Sequence, residues 1–143
     1  MKSRRQKLLP KYSLAVLADT CNRNGLYEKG QRYLQEAREN ADKSGQNWWL
    51  AEIYRLEGNA YPSTDDGDPK RAQESFQKAQ DISRRQQAKI LELRAASDMS
   101  RLMQMRGDRQ QAYDLLALVY QWFTEGLETD DLRAAGKLLD ELS

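Results

Sequence analysis

The chain has 143 residues, a size that fits one domain, and its 39% hydrophobic content is enough to bury a core without help from metals or disulfides. Its 23 Lys and Arg stand against 22 Asp and Glu, so a net charge of +1 excludes any whole-molecule field that would select nucleic acid or membrane. With one cysteine and no histidine, it can form no intramolecular disulfide and lacks the commonest neutral-pH base and nitrogen ligand, which argues against nucleophilic triads and zinc sites.

The opening stretch carries Lys2, Arg4, Arg5, Lys7 and Lys11 with no acid, while Glu125, Glu128, Asp130, Asp131, Asp140 and Glu141 make the far end acidic. Pro10 and Lys11 interrupt the short apolar patch at Leu8-Leu9, so no secretory signal forms, and nothing approaches the roughly twenty apolar residues of a membrane span. A lone thiol at an apolar-periodic position, Cys21, reads as a small core residue in a reducing compartment. The expectation is a cytoplasmic protein with a solvated basic leader and no membrane partner.

Apolar residues recur at helical spacing along the chain, and β-branched residues are too scattered to write strands. Breaks at Asn24-Gly25, Ser44-Gly45, Pro62 to Pro69, Gly107-Asp108 and Gly126 to Thr129 cut it into about seven helices. Three copies of one pattern follow: Gly25, Gly30, Leu34, Ala37; then Gly67, Ala72, Phe76, Ala79; then Gly107, Ala112, Leu116, Val119. The leading glycines stand 42 and 40 residues apart, a period that indicates stacked helical hairpins. Gly ends the first helix of each, a small residue lets the second approach closely, and a large one fills the gap beyond. Upstream, the first helices offer Leu14, Leu17, Ala18 and Cys21, then Tyr54, Gly58 and Tyr61, then Ala96, Met99, Ser100 and Met103 as buried positions.

The stretch Gly58-Asn59-Ala60-Tyr61 with Gly67-Asp68, Ala72, Phe76 and Ala79 resembles the tetratricopeptide consensus, with a two-residue insertion in the turn. The chain departs from it at Glu57 (Leu in the consensus), Gly30 (Ala) and Ser100 (Gly), and its period exceeds the usual figure of about 34 residues. The resemblance implies an all-α, right-handed α-solenoid of three hairpins plus a C-terminal capping helix. As one domain over 1–143, the repeats would span about 11–45, 47–87 and 88–125, with the cap over about 129–142.

The segments Trp48-Trp49 to Gly58, Leu91 to Ala96, Tyr120 to Gly126, Asp131-Leu132 and Leu138 to Leu142 resemble the C-terminal repeat tail of bacterial signalling proteins that join a nucleotide cyclase to an AAA-type ATPase. The chain has no Gly-rich loop ending in Gly-Lys-Ser/Thr, and the first repeat opens close to Met1, so neither activity is expected of it. What the resemblance implies is a non-catalytic, regulatory or sensory protein-binding module with no cofactor.

Other features have plainer readings. Asp65, Asp66 and Asp68 lack the closing Glu of a calcium loop and read as a solvated turn. Thr129 or Asp130 can cap the last helix, and Arg84-Arg85 complement a helix C-terminus. Trp48 and Trp49 cannot both face inward, since neighbours differ by about 100 degrees around a helix.

By position relative to Ala18, Gly58 and Ser100, the resemblance places a concave groove on the first helices. Its candidates are Tyr12, Ala15, Asp19 and Asn22, then Glu52, Arg55 and Asn59, then Arg94, Ser97, Arg101 and Gln104. That surface reads as polar and net positive, suited to an acidic or carboxy-terminal peptide held by arginine forks. Open repeat ends, with Leu8-Leu9 and Leu26-Tyr27 uncovered, predict a homodimer as a further partner. The alternative is a transcriptional-regulator fragment using the basic leader and groove arginines on nucleic acid, which the lack of a stacking platform disfavours.

Overall fold

In the computed structural model, residues 11–44, 49–60 and 69–143 are described, and they form seven α-helices with no strand among them. In chain order these are α1 (Lys11–Arg23), α2 (Tyr27–Ser44), α3 (Leu50–Ala60), α4 (Pro69–Arg85), α5 (Lys89–Met105), α6 (Arg109–Tyr120) and α7 (Asp130–Leu142). Among the described residues no helix is long and apolar enough to cross a membrane. Trp48, Tyr61, Gly67 and the Asp65, Asp66, Asp68 turn lie outside the described residues.

Each helix packs on its neighbours in sequence, α1 on α2, α3 on α4 and α5 on α6, and the odd-numbered helices also meet in series from α1 to α7. The small–large register explains the pairing. Ala18, Gly58 and Ser100 are buried, as are Gly30, Ala72 and Ala112 facing them. Leu34, Phe76 and Leu116 fill the space one turn on, each at most 2% exposed. Removing side chains of this size from water stabilises by about 1.5–3 kcal/mol apiece.

Departures from the consensus have local causes. The Ser100 hydroxyl donates to the Ala112 carbonyl at 2.9 Å, so a polar atom sits in the hairpin core at no cost in unmet hydrogen bonds. A Cβ at Gly30 would run into the Asn22 side chain, which holds that position to glycine. Glu57 is buried because Arg38 reaches it from α2, Nη1 to Oε1 at 2.6 Å.

Three connections use one turn. At Gly25 the amide of Leu26 donates to Cys21 O and that of Gly25 to Asn22 O, and at Gly107 the amide of Asp108 donates to Met103 O and that of Gly107 to Gln104 O. Gln87 repeats the pattern between α4 and α5, with Ala88 donating to Ser83 O and Gln87 to Arg84 O. All three are Schellman turns whose central residue takes a positive φ, +79° and +89° at the glycines and +57° at Gln87. Arg84 and Lys89 brace this last turn by pairing with buried Glu92, at 3.2 and 3.5 Å.

The ends differ from the sequence reading. Leu17, expected on the buried face of α1, is 41% exposed beside Val16 at 45%, because α1 has a hairpin partner and a following helix but nothing packed on its other side. At the other end Leu132, Ala135, Leu138 and Leu142 of α7 bury against α5 and α6. Thr129 stands at the N-cap of α7, but its side chain makes no capping hydrogen bond. The last turn is held instead by Arg109, which donates to the main-chain oxygens of Leu142, Glu141 and Ser143 at 2.9, 3.1 and 2.6 Å. Cations at this position also offset the helix dipole.

Candidate functional site

Stacking α3 beside α5 and α5 beside α7 turns three residue pairs spaced at helical intervals into one charged layer. On α3, Glu52 and Arg55 are three residues apart and pair through both carboxylate oxygens, Nε to Oε1 at 2.9 Å and Nη2 to Oε2 at 3.0 Å. The remaining edge of Arg55 crosses to α5, where Nη1 donates to Asp98 Oδ2 at 2.8 Å. Asn59, one turn on, donates to the same oxygen at 3.0 Å, and Arg101 donates to Asp98 Oδ1 at 3.1 Å. Arg94, one turn before Asp98, turns to α7: its Nε and Nη2 meet Asp131 Oδ2 at 3.0 and 2.9 Å, and Nη1 lies 3.5 Å from Glu52 Oε2.

Burial by itself would lower the Arg55 pKa, but the hydrogen bonds and charges of Glu52 and Asp98 outweigh it and hold the guanidinium above its ordinary range. Arg94 shifts upward for the same balance of causes, burial opposed chiefly by the hydrogen bond to Asp131 and the charge of Glu52. Both stay charged at every pH the fold survives.

These side chains line an open depression of about 290 Å³ whose floor is Leu93 and whose walls include Arg55, Arg94, Ser97, Asp98, Arg101, Asp131 and Ala134. That is at the small end of ligand-binding cavities, enough for one or two peptide side chains or a terminal carboxylate.

The structure brings Glu52, Arg55, Asn59, Arg94, Ser97 and Arg101 together, but not the first-repeat candidates. Ala15 is a core residue at 3% exposure, packed with Leu14, Ala18, Ile53 and Leu56. Asp19 pairs with Arg23 on its own helix at 3.1 Å. Asn22 leans over Gly30 with its Oδ1 buried and unpaired among the described residues. Gln104 is exposed on α5, away from the lining, and Tyr12 lies on α1 where side chains are not described.

The expectation of a net positive surface is corrected by two acids left out of the candidate set. Three arginines face three carboxylates, Glu52, Asp98 and Asp131, so the layer is close to neutral. Asp98 was legible: it sits four residues after Arg94 and three before Arg101 on one face of α5. Asp131 was not, because its local context is a helix start and its partner comes from a helix 37 residues away.

The arginines are not equivalent. Arg55 and Arg94 spend all three nitrogens on carboxylates, whereas Arg101, 48% exposed, uses only Nη1 among the described residues. Its Nε and Nη2 edge is open to a ligand, and Ser97 stands one turn before it at the rim of the depression.

Compared with known proteins, the chain matches no family model, no curated protein and no solved structure.

Proposed function

We propose that the chain is a non-catalytic protein-interaction scaffold, a right-handed solenoid of three tetratricopeptide-like hairpins capped by α7. It binds a peptide or partner domain on the face built by α3, α5 and α7. The repeated burial of Ala18, Gly58 and Ser100 against Gly30, Ala72 and Ala112 supports the hairpin-stack reading. Its sequence likeness to bacterial cyclase–ATPase tails makes a regulatory or sensory role in signalling the natural setting.

The single observation that carries the binding reading is the open edge of Arg101 above a depression whose other charges are already paired. An incoming carboxylate takes that edge as a bidentate partner without breaking the Arg55 and Arg94 pairs, while mixed charge around it favours a peptide with both signs over a strongly acidic one. The pairing of the arginines also counts against the nucleic-acid reading, which needs cations free to meet phosphates.

Titration calorimetry with short peptides that end in a free carboxylate, and with their amidated versions, tests the proposal. Binding of the free acids alone, weakened about tenfold or more by Arg101→Gln, is the expected result. Equal binding of acid and amide, or none by either, would remove the carboxylate site.

A further inference from the structure

The repeat register exposes a second surface, on α1. Aligning the small residues Ala18, Gly58 and Ser100 puts Val16, Leu17 and Thr20 in register with Leu56, Glu57 and Ala60 of α3. In α3 those positions are all buried, Glu57 against Arg38 of the preceding α2 and Leu56 in the cluster shared with α1 and α2. In α5 the counterparts of Leu17 and Thr20 are Met99 and Leu102, packed on Ala72 and Phe76 of the preceding α4. On α1 the same stripe is bare: Val16 is 45% exposed and Leu17 41%, and Leu26, in the turn that follows, is 53% exposed. The chain therefore makes this interface twice internally and presents it once, unfilled.

Charge indicates what fills it. Residues 1–44 hold ten Lys and Arg against five Asp and Glu, a net of +5, whereas residues 107–143 hold three against eight, a net of −5. The acidic end carries its own exposed apolar groups, Trp122 at 64% and Leu127 at 43%, among exposed Glu125, Glu128, Asp130, Asp140 and Glu141. Trp122 was expected in the core, but it lies on the surface with the Lys89 ammonium 4.0 Å above its ring. Two basic ends repel, as do two acidic ends, so only the unlike pair gains from both charge and apolar contact.

We propose that the α1 face is occupied by the acidic end of a second copy of this chain, in a head-to-tail contact. Such a contact is heterologous: each copy keeps one unused head and one unused tail, and assembly continues until a ring closes or the protein runs out. It is strongest at low ionic strength, because charges farther apart than about 10 Å are screened at 0.1 M salt.

Sedimentation velocity on the full chain across a concentration series, at low and high salt, tests this with two double variants. Leu17→Gln with Leu26→Gln disables the head, and Glu125→Lys with Glu128→Lys disables the tail. All four positions except Leu17 lie in turns, and Leu17 is half in solvent, so both variants keep the circular dichroism melt of the parent. The expected result is a parent mass that grows with concentration and shrinks with salt, each variant monomeric alone, and a 1:1 mixture of the two that stops at a dimer. A parent that stays monomeric throughout, a tail variant that associates as well as the parent, or a mixture with no dimer would each overturn the head-to-tail contact.

Discussion

Asp98 accepts the Nη1 of Arg55 at 2.8 Å, a bond between residues 43 positions apart that ties the second hairpin to the third. Both partners are mostly shielded, with side-chain exposures of 12% and 19%, and the same carboxylate also serves Asn59 and Arg101. Asp98→Ala leaves a shielded guanidinium with one partner and is expected to cost about 2–3 kcal/mol, read as a lower urea midpoint at unchanged slope. It also gives the depression a net positive charge, so affinity for an anionic peptide should rise as stability falls. A variant that loses stability without gaining affinity would show that the depression is a structural feature only.

Glu57 provides a pH readout. Burial pushes its carboxyl above its ordinary value of 4.5, and the charges of Arg38 and Lys78 only partly oppose this. Between pH 4.5 and the raised value the folded chain binds more protons than the unfolded one, so this residue's contribution falls as pH climbs through that window. Glu57→Leu removes the effect and fills the site with apolar surface, which for buried ion pairs is often neutral or stabilising by about 1–4 kcal/mol. Denaturation of parent and variant from pH 4 to pH 7 should show the variant gaining on the parent as pH rises. A difference independent of pH would mean that Glu57 is charged at no cost.

At Gln87 the backbone takes a φ of +57° with a side chain attached. Glycine relieves that conformation, so Gln87→Gly is expected to stabilise by about 1 kcal/mol despite its greater unfolded-state entropy. Gly107→Ala, at +89° with nothing near the missing Cβ, should cost about the same. Thermal melts of the two variants should move in opposite directions.

Gly58 has the ring of Phe76 against it, with Cε1 and Cδ1 only 2.5 and 2.7 Å from where a Cβ would stand. Gly58→Ala forces that ring aside and should cost about 1–3 kcal/mol as overpacking does. Pairing it with Phe76→Leu should recover part of the loss, and a double-mutant cycle measures how much.

Much of the hairpin geometry was legible because it is local. Gly25 and Gly107 announced their turns, and the five-residue step to Gly30 and Ala112 announced how closely the helices approach. The turn at Gln87 carried no glycine and showed only through the period between copies. The charge layer was half legible: Glu52, Arg55, Arg94 and Arg101 follow from spacing along a helix. Its neutralisation depends on Asp131 arriving from α7, a fact of tertiary packing that no window of sequence contains. The exposure of Leu17 has the same origin, since its pattern matches Met99 and only the missing neighbour separates them.

Because each helix rests chiefly on those just before and after it in the chain, few contacts close long loops. Such a topology folds quickly, in the range of about microseconds to milliseconds, and gives its parts some independence. The α1–α2 hairpin meets the remainder through a joint that includes the Arg38–Glu57 pair, whereas Phe76 and Met99 make the next joint apolar. Amide exchange should therefore begin there: the first hairpin detaches and returns as a unit while α5, α6 and α7 stay closed.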